Sequence, residues 1–183
     1  MMKETEIPEG VNVEIKEKEV KVSGQKGEIT KDFNDPRFNK LVTIEKDGNK
    51  FVVKSSSEKR KIKAFVGTIN SIVKNLILGV SIGFKFTMKV FYAHFPMNIT
   101  VKDNEVHIKN FLGEKGARIA KIIGNTQVKV EKDTVVLTGI EIEKIGQTAS
   151  NIEQACKLSK RDRRIFNDGI YISGRFLQTG EAL

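Results

Sequence analysis

The chain repeats itself. Val13-Glu14-Ile15-Lys16-Glu17-Lys18-Glu19-Val20-Lys21-Val22 aligns with Ile99-Thr100-Val101-Lys102-Asp103-Asn104-Glu105-Val106-His107-Ile108 at a constant offset of 86 residues. Both segments alternate apolar and polar residues, pause at a short polar turn and alternate again, which predicts a β-hairpin. The same offset carries Gly27-Glu28 onto Gly113-Glu114, and Val42-Thr43-Ile44-Glu45-Lys46-Asp47 onto Val128-Lys129-Val130-Glu131-Lys132-Asp133. A turn and a further strand follow in each copy, Phe51-Val52-Val53 and Val135-Val136-Leu137. Each half then becomes helical. Ile62, Phe65, Val66, Ile69, Val73, Leu76 and Ile77 form one apolar stripe, and Ile142, Ile145, Ala149, Ile152 and Cys156 form another. Ser55-x-x-Glu58 and Thr138-x-x-Glu141 read as capping boxes opening the two helices. A glycine and a strand close each copy, Gly83-Phe84-Lys85-Phe86 and Gly169-Ile170-Tyr171-Ile172. Agreement of so many elements in one order means tandem duplication. The predicted fold is α+β, with an antiparallel sheet and one helix packed on one face occurring twice. The modules are expected at residues 1–90 and 91–183.

Between the modules, residues 84–96 alternate, with Phe84, Phe86, Met88, Val90 and Tyr92 on one face. Flexible linkers are rich in Gly, Ser or Pro. This segment reads instead as a long strand leaving the first module and entering the second, holding them in fixed orientation.

Composition narrows the function. Of 183 residues, 32 are Lys or Arg and 23 are Asp or Glu, a net charge of +9. The lone cysteine, Cys156, excludes an internal disulfide and suits a reducing compartment. It falls at an apolar helical position, as a core residue rather than a nucleophile. No apolar run approaches the ~20 residues that span a bilayer, and the N-terminus lacks a signal peptide's apolar region. No membrane partner, small-molecule substrate or cofactor is expected. His94 and His107 have no Cys or His at ligand spacing, so both read as strand side chains and no metal site is expected. GxSxG, HExxH, CxxC and the P-loop pattern are all missing. The carboxylates are scattered through charge-alternating strands. The chain reads as a non-enzyme, and a basic protein of this kind has nucleic acid as its leading partner class.

The two copies differ in how charge is arranged. Residues 1–93 hold 18 basic and 12 acidic residues, net +6, but dispersed; residues 94–183 hold 14 and 11, net +3. Within the second copy, Lys157, Lys160, Arg161, Arg163, Arg164 and Arg175 face only Asp162 and Asp168, giving +4 over nineteen residues. Phe166, Tyr171 and Phe176 are interleaved among these cations, a composition that grips phosphates and packs on sugars or bases. The competing reading is a solvated basic helix terminus favoured by the helix dipole. A second basic stretch, Lys109-Asn110-Phe111-Leu112-Gly113-Glu114-Lys115-Gly116-Ala117-Arg118 continuing to Lys121, places two glycines among cations. It is either a phosphate-gripping loop or a basic surface turn. RRM, KH, zinc-finger and helix-turn-helix signatures are all missing, which points to structured RNA read by shape and backbone rather than to DNA sequence readout.

The pattern Gln154-x-x-x-Leu158-x-x-Arg161-x-x-Arg164-x-Phe166-x-Asp168-Gly169-Ile170-Tyr171-Ile172-x-x-Arg175 resembles the C-terminal signature of the large-subunit ribosomal protein L6 family in its archaeal and eukaryotic form. Tyr92-Ala93-His94-Phe95-Pro96, Asn110-Phe111-Leu112-Gly113-Glu114-Lys115 and Gly146-Gln147-Thr148-Ala149 match as well. The resemblance covers essentially the whole chain. It implies a structural constituent of the large ribosomal subunit in the cytoplasm. The C-terminal copy would dock on large-subunit rRNA near the sarcin–ricin loop and the base of the factor-binding stalk, with neighbouring ribosomal proteins as further partners. The expected rRNA-binding residues are those the resemblance implies, Lys109, Asn110, Lys115, Arg118, Lys121, Arg161, Arg163, Arg164, Tyr171 and Arg175, together with Lys157 and Lys160 from the charge cluster. The alternative from another functional class is a non-ribosomal protein-interaction module using exposed sheet edges.

Overall fold

Period-two alternation puts Val13, Val20, Val22 and Ile29 on one side of a sheet, and all four are buried. The computed structural model describes residues 2–38, 41–57, 59–158, 162 and 164–183. Its strands are β1 (Met2–Glu6), β2 (Asn12–Lys16), β3 (Glu19–Gly24), β4 (Gly27–Asp32), β5 (Val42–Asp47), β6 (Lys50–Ser55), β7 (Phe84–Phe91), β8 (Asn98–Lys102), β9 (Glu105–Lys109), β10 (Arg118–Lys121), β11 (Gln127–Glu131), β12 (Thr134–Gly139) and β13 (Gly169–Leu177). The helices are α1 (Arg60–Ser81) and α2 (Ile142–Ala155). The chain divides into two compact units, Met1–Gly83 and Phe84–Leu183.

In the first unit the strands form two antiparallel sheets, ordered β1-β6-β5 and β2-β3-β4. Helix α1 packs on β1 and β6 of one and on β3 and β4 of the other, so one helix covers both small sheets. The predicted stripe is what it buries: Ile62, Val66, Ile69, Val73, Leu76 and Ile77. Phe65, at the stripe's margin, stacks on Phe38 with ring centroids 4.7 Å apart. Val73 has no exposed surface, so Val73→Ala removes two methyl groups from a closed site. The expected cost is about 1–3 kcal/mol in a urea titration, and a change below ~0.5 kcal/mol, the scale of ordinary surface substitutions, would mean the stripe is not the core.

The second unit repeats the plan with sheets β10-β9-β8 and β11-β12-β7-β13 under α2. Ile145, Ala149 and Ile152 are fully buried, and Cys156 nearly so. Burial pushes the Cys156 thiol up to about 11, so it is an inert core group. The duplication extends to backbone detail. The β2–β3 turn uses Glu17 at φ 54° and the β8–β9 turn uses Asp103, 86 residues later, at φ 50°.

Four expectations are corrected. First, β7 is not the closing strand of the first module. Both its edges are filled by β12 and β13, so it belongs wholly to the second unit and the boundary falls after Gly83, not after residue 90. Secondly, neither capping box starts a helix. Ser55 ends β6 and its hydroxyl bonds the amide and carbonyl of Ser57, while Thr138 lies inside β12. The cap residues are Lys59 and Glu141, neither with a side-chain cap bond, and Glu58 lies outside the described residues. Thirdly, α1 is 22 residues long and apolar enough, by length and composition, to cross a membrane. Polar residues on its outer side hide this from a search for unbroken apolar runs, and its apolar stripe is covered by the two sheets. Finally, His94 follows the end of β7 and is not a strand residue, whereas His107 does lie in β9.

Candidate nucleic-acid interface

At one end of the second unit three segments converge: residues 92–96 after β7, residues 110–117 between β9 and β10, and, between α2 and β13, residues 157, 158 and 164–168. Asp168 ties the first to the third. It is 1% exposed. Its Oδ1 accepts from the backbone amides of Ala93 (2.9 Å) and His94 (3.2 Å), and its Oδ2 lies 2.8 Å from His94 Nδ1. Burial alone would push the Asp168 carboxyl up. The His94 ring and the two amides outweigh that and hold it below the usual carboxylate range. The Phe166 ring stacks on the His94 ring at 4.8 Å between centroids.

The loop of residues 110–117 is anchored just as firmly. Asn110, Leu112 and Gly113 all have left-handed backbone angles, and Phe111 between them is fully buried. Asn110 Nδ2 donates to the carbonyl of Pro96 at 3.0 Å, and the Phe95 ring packs beside Gly113. Arg118 completes the assembly. Its Nε and one terminal nitrogen form a two-pronged ion pair with Glu114 (2.9 and 2.6 Å), and its other terminal nitrogen donates to the carbonyls of Ala155 (2.9 Å) and Lys157 (3.2 Å). Its guanidinium lies 4.2 Å over the Phe111 ring. The fork geometry that suits arginine to phosphate is here occupied by the protein, so Arg118 is a clamp on the α2 C-terminus rather than an outward cation.

What faces outward is a subset of the expected residues. Lys109, Lys115 and Lys157 are exposed around this end. Lys157 and Tyr171 line one groove of about 350 Å³ with Glu153, Gln154, Cys156 and Leu158. Arg164 is exposed and bound to Asp162, whose carboxyl its guanidinium holds below the ordinary range. Asn110 serves the loop itself. Two residues fall elsewhere. Lys121 pairs with Glu105 at the far end of the β9–β10 ladder from the loop. Arg175 is separated from Tyr171 by a bulge between Ile172 and Gly174, which reverses the alternation. Arg175 therefore shares the helix side of the sheet with Phe86, its guanidinium 5.6 Å from that ring. Lys160, Arg161 and Arg163 lie outside the described residues.

Sequence reasoning missed His94 and Asp168 as a working pair. The available signal was the break of alternation at Ala93-His94 before Pro96, together with an acidic residue inside an otherwise basic segment.

The family model for ribosomal protein L6 matches residues 7–83 and 95–169, one match in each half. Among similar proteins, the large ribosomal subunit protein uL6 of Methanocella arvoryzae is 46% identical over 175 residues, covering 95% of this chain and 97% of that protein. Its counterpart from Staphylothermus marinus is 47% identical over 172 residues, covering 92% and 91%. The protein of the same name from Ignicoccus hospitalis is 44% identical, covering 93% and 92%. Two matches to one family model, set on two copies of one fold, leave a single conclusion: the chain belongs to the ribosomal protein L6 family.

Proposed function

We propose that this chain is a structural, non-catalytic constituent of the large ribosomal subunit that docks on large-subunit rRNA through the loop end of its second unit. The proposed location is the cytoplasmic ribosome, close to the sarcin–ricin loop and the base of the factor-binding stalk, with neighbouring ribosomal proteins as further partners. Family membership supports the subunit, and the loop end supports the surface. The observation that carries it is the pre-organised end itself. Asp168 and Arg118 lock three segments from inside, and Lys109, Lys115, Lys157 and Arg164 project from that rigid frame. Cations on a fixed frame suit shape-based contact with folded RNA, because little side-chain and loop order remains to be lost on binding.

The test is footprinting of the full chain on a large-subunit rRNA fragment carrying the sarcin–ricin region. Protection confined to that region, competed poorly by unrelated duplex RNA, is the expected result. Protection spread evenly along the fragment would sink the site assignment, leaving only non-specific attraction between a basic protein and a polyanion.

A further inference from the structure

The four-stranded sheet of the second unit buries one face under α2 and leaves the other open. Register assigns the open face: Lys85, Thr87, Lys89 and Phe91 from β7, Thr134, Val136 and Thr138 from β12, Lys129 and Glu131 from β11, and Tyr171 and Phe176 from β13. Phe91 is 46% and Tyr171 41% exposed, with ring centroids 6.2 Å apart on adjacent strands. Lys89 Nζ stands 5.0 Å from the Phe91 ring.

Two glycines shape this face. A Cβ on Gly169 would stand 2.9 Å from the Tyr171 ring, and one on Gly174 would stand 2.2 Å from the Phe176 ring. Neither glycine has a left-handed backbone angle, so the backbone does not require glycine at either position. What glycine provides is room for the ring, which a side chain at either position would push aside. The bulge after Ile172 brings Phe176 to the same side as Tyr171, although their five-residue separation would put them on opposite sides of a regular strand. Strand register, bulge and glycines together build a shelf of aromatic rings bordered by ammonium groups.

We infer that this open face is a second RNA contact, adjoining the loop end at Tyr171, and that it takes unpaired nucleotides, with bases stacked on Phe91 and Tyr171 and phosphates at Lys85 and Lys89. The inference rests on the rRNA-binding reading above. Charge complementarity selects RNA over a protein partner. Three lysines face a single carboxylate, Glu131, which Lys129 already holds at 3.2 Å. Between the rings the surface is mainly threonine hydroxyls rather than the aliphatic centre of a protein interface. Aromatic shelves with flanking cations bind single strands with little sequence preference, because every base has a flat face.

The chain has no tryptophan and two tyrosines, Tyr92 and Tyr171. In the full-length Tyr92→Phe protein, tyrosine emission therefore reports Tyr171 alone. Titration with a short single-stranded oligouridine is expected to quench that emission saturably, and a duplex of the same length to leave it nearly unchanged. Adding Phe91→Leu, a change at an exposed side chain, is expected to weaken oligouridine binding about tenfold. Adding Gly169→Ala should do the same by displacing the ring, with thermal melting confirming that the fold is kept. Equal quenching by single strand and duplex, or unchanged affinity in Phe91→Leu, would overturn the shelf. Binding of the rRNA fragment without any oligouridine effect would overturn the shelf alone, and loss of both would overturn the rRNA reading with it.

Discussion

Replacing Asp168 with alanine is expected to lower the unfolding free energy at neutral pH by about 3 kcal/mol, more than any substitution among the exposed lysines. Three donors converge on this carboxylate from residues 74 and 75 positions away. Removing it leaves two backbone amides in a nearly closed site with no acceptor, and removes the partner that fixes the His94 ring. Asp168→Asn separates charge from shape. A carboxyl whose folded pKa lies below its unfolded value, about 4, contributes stability that is complete above the unfolded value and disappears as pH falls through the folded one. The Asp168 carboxyl is shifted in that direction. The gap between wild type and Asp168→Asn should therefore be full at neutral pH and close as the medium is acidified below about pH 4. Urea titrations at neutral and at acid pH measure it. An equal gap at both would mean that packing, not charge, is what Asp168 supplies.

Much of the fold was legible because its signals are local. The β2–β3 and β8–β9 hairpins announce themselves by alternation over ten residues, and the helices by stripes at three- and four-residue spacing. The constant offset then made each copy a check on the other. What was not legible depends on partners distant in the chain. Phe84, Lys85 and Phe86 alternate equally well whether β7 closes the first unit or opens the second, and only its pairing with both β12 and β13 decides. Ser55-x-x-Glu58 and Thr138-x-x-Glu141 carry the right residues, but the strands before them run longer than the pattern implies.

The site divides in the same way. Composition marks residues 109–121 and 157–175 as basic stretches, whereas the part each side chain plays in the fold was not readable from it. Arg118 looks like any surface arginine until Glu114 and the carbonyls of Ala155 and Lys157 are placed around it. Tyr171 and Arg175, four apart in a strand, should share a face, and one extra residue in β13 separates them. A bulge leaves no reliable trace in alternation, because Ser173-Gly174 fits either phase.

Charge in bulk gives one expectation for RNA binding and the geometry of the loop end gives another. With the boundary at Gly83, residues 1–83 carry 16 basic and 12 acidic side chains, net +4, and residues 84–183 carry 16 and 11, net +5. The units are nearly equal, so net charge predicts that losing two lysines from either should weaken binding alike. The frame around Asp168 and Arg118 predicts a sharp asymmetry. Replacing Lys109 and Lys115 by alanine should remove about two phosphate contacts, flattening the plot of log affinity against log salt by roughly 0.7–0.9 per lysine. At roughly 0.15 M salt that is a loss of about twentyfold. Replacing Lys59 and Lys61, beside the start of α1, should change affinity by less than about twofold if only long-range, screened attraction is lost. Arg118→Ala supplies the third arm. Its donors are already engaged within the protein, so it should weaken binding by loosening the loop while leaving the salt slope of the remaining binding intact. Filter binding of the rRNA fragment across a salt series reads all three. If the Lys59 and Lys61 pair proves as damaging as the Lys109 and Lys115 pair, binding follows net charge and the loop end is not the site; if Arg118→Ala flattens the slope by a full contact, that guanidinium leaves Glu114 to reach a phosphate when RNA arrives.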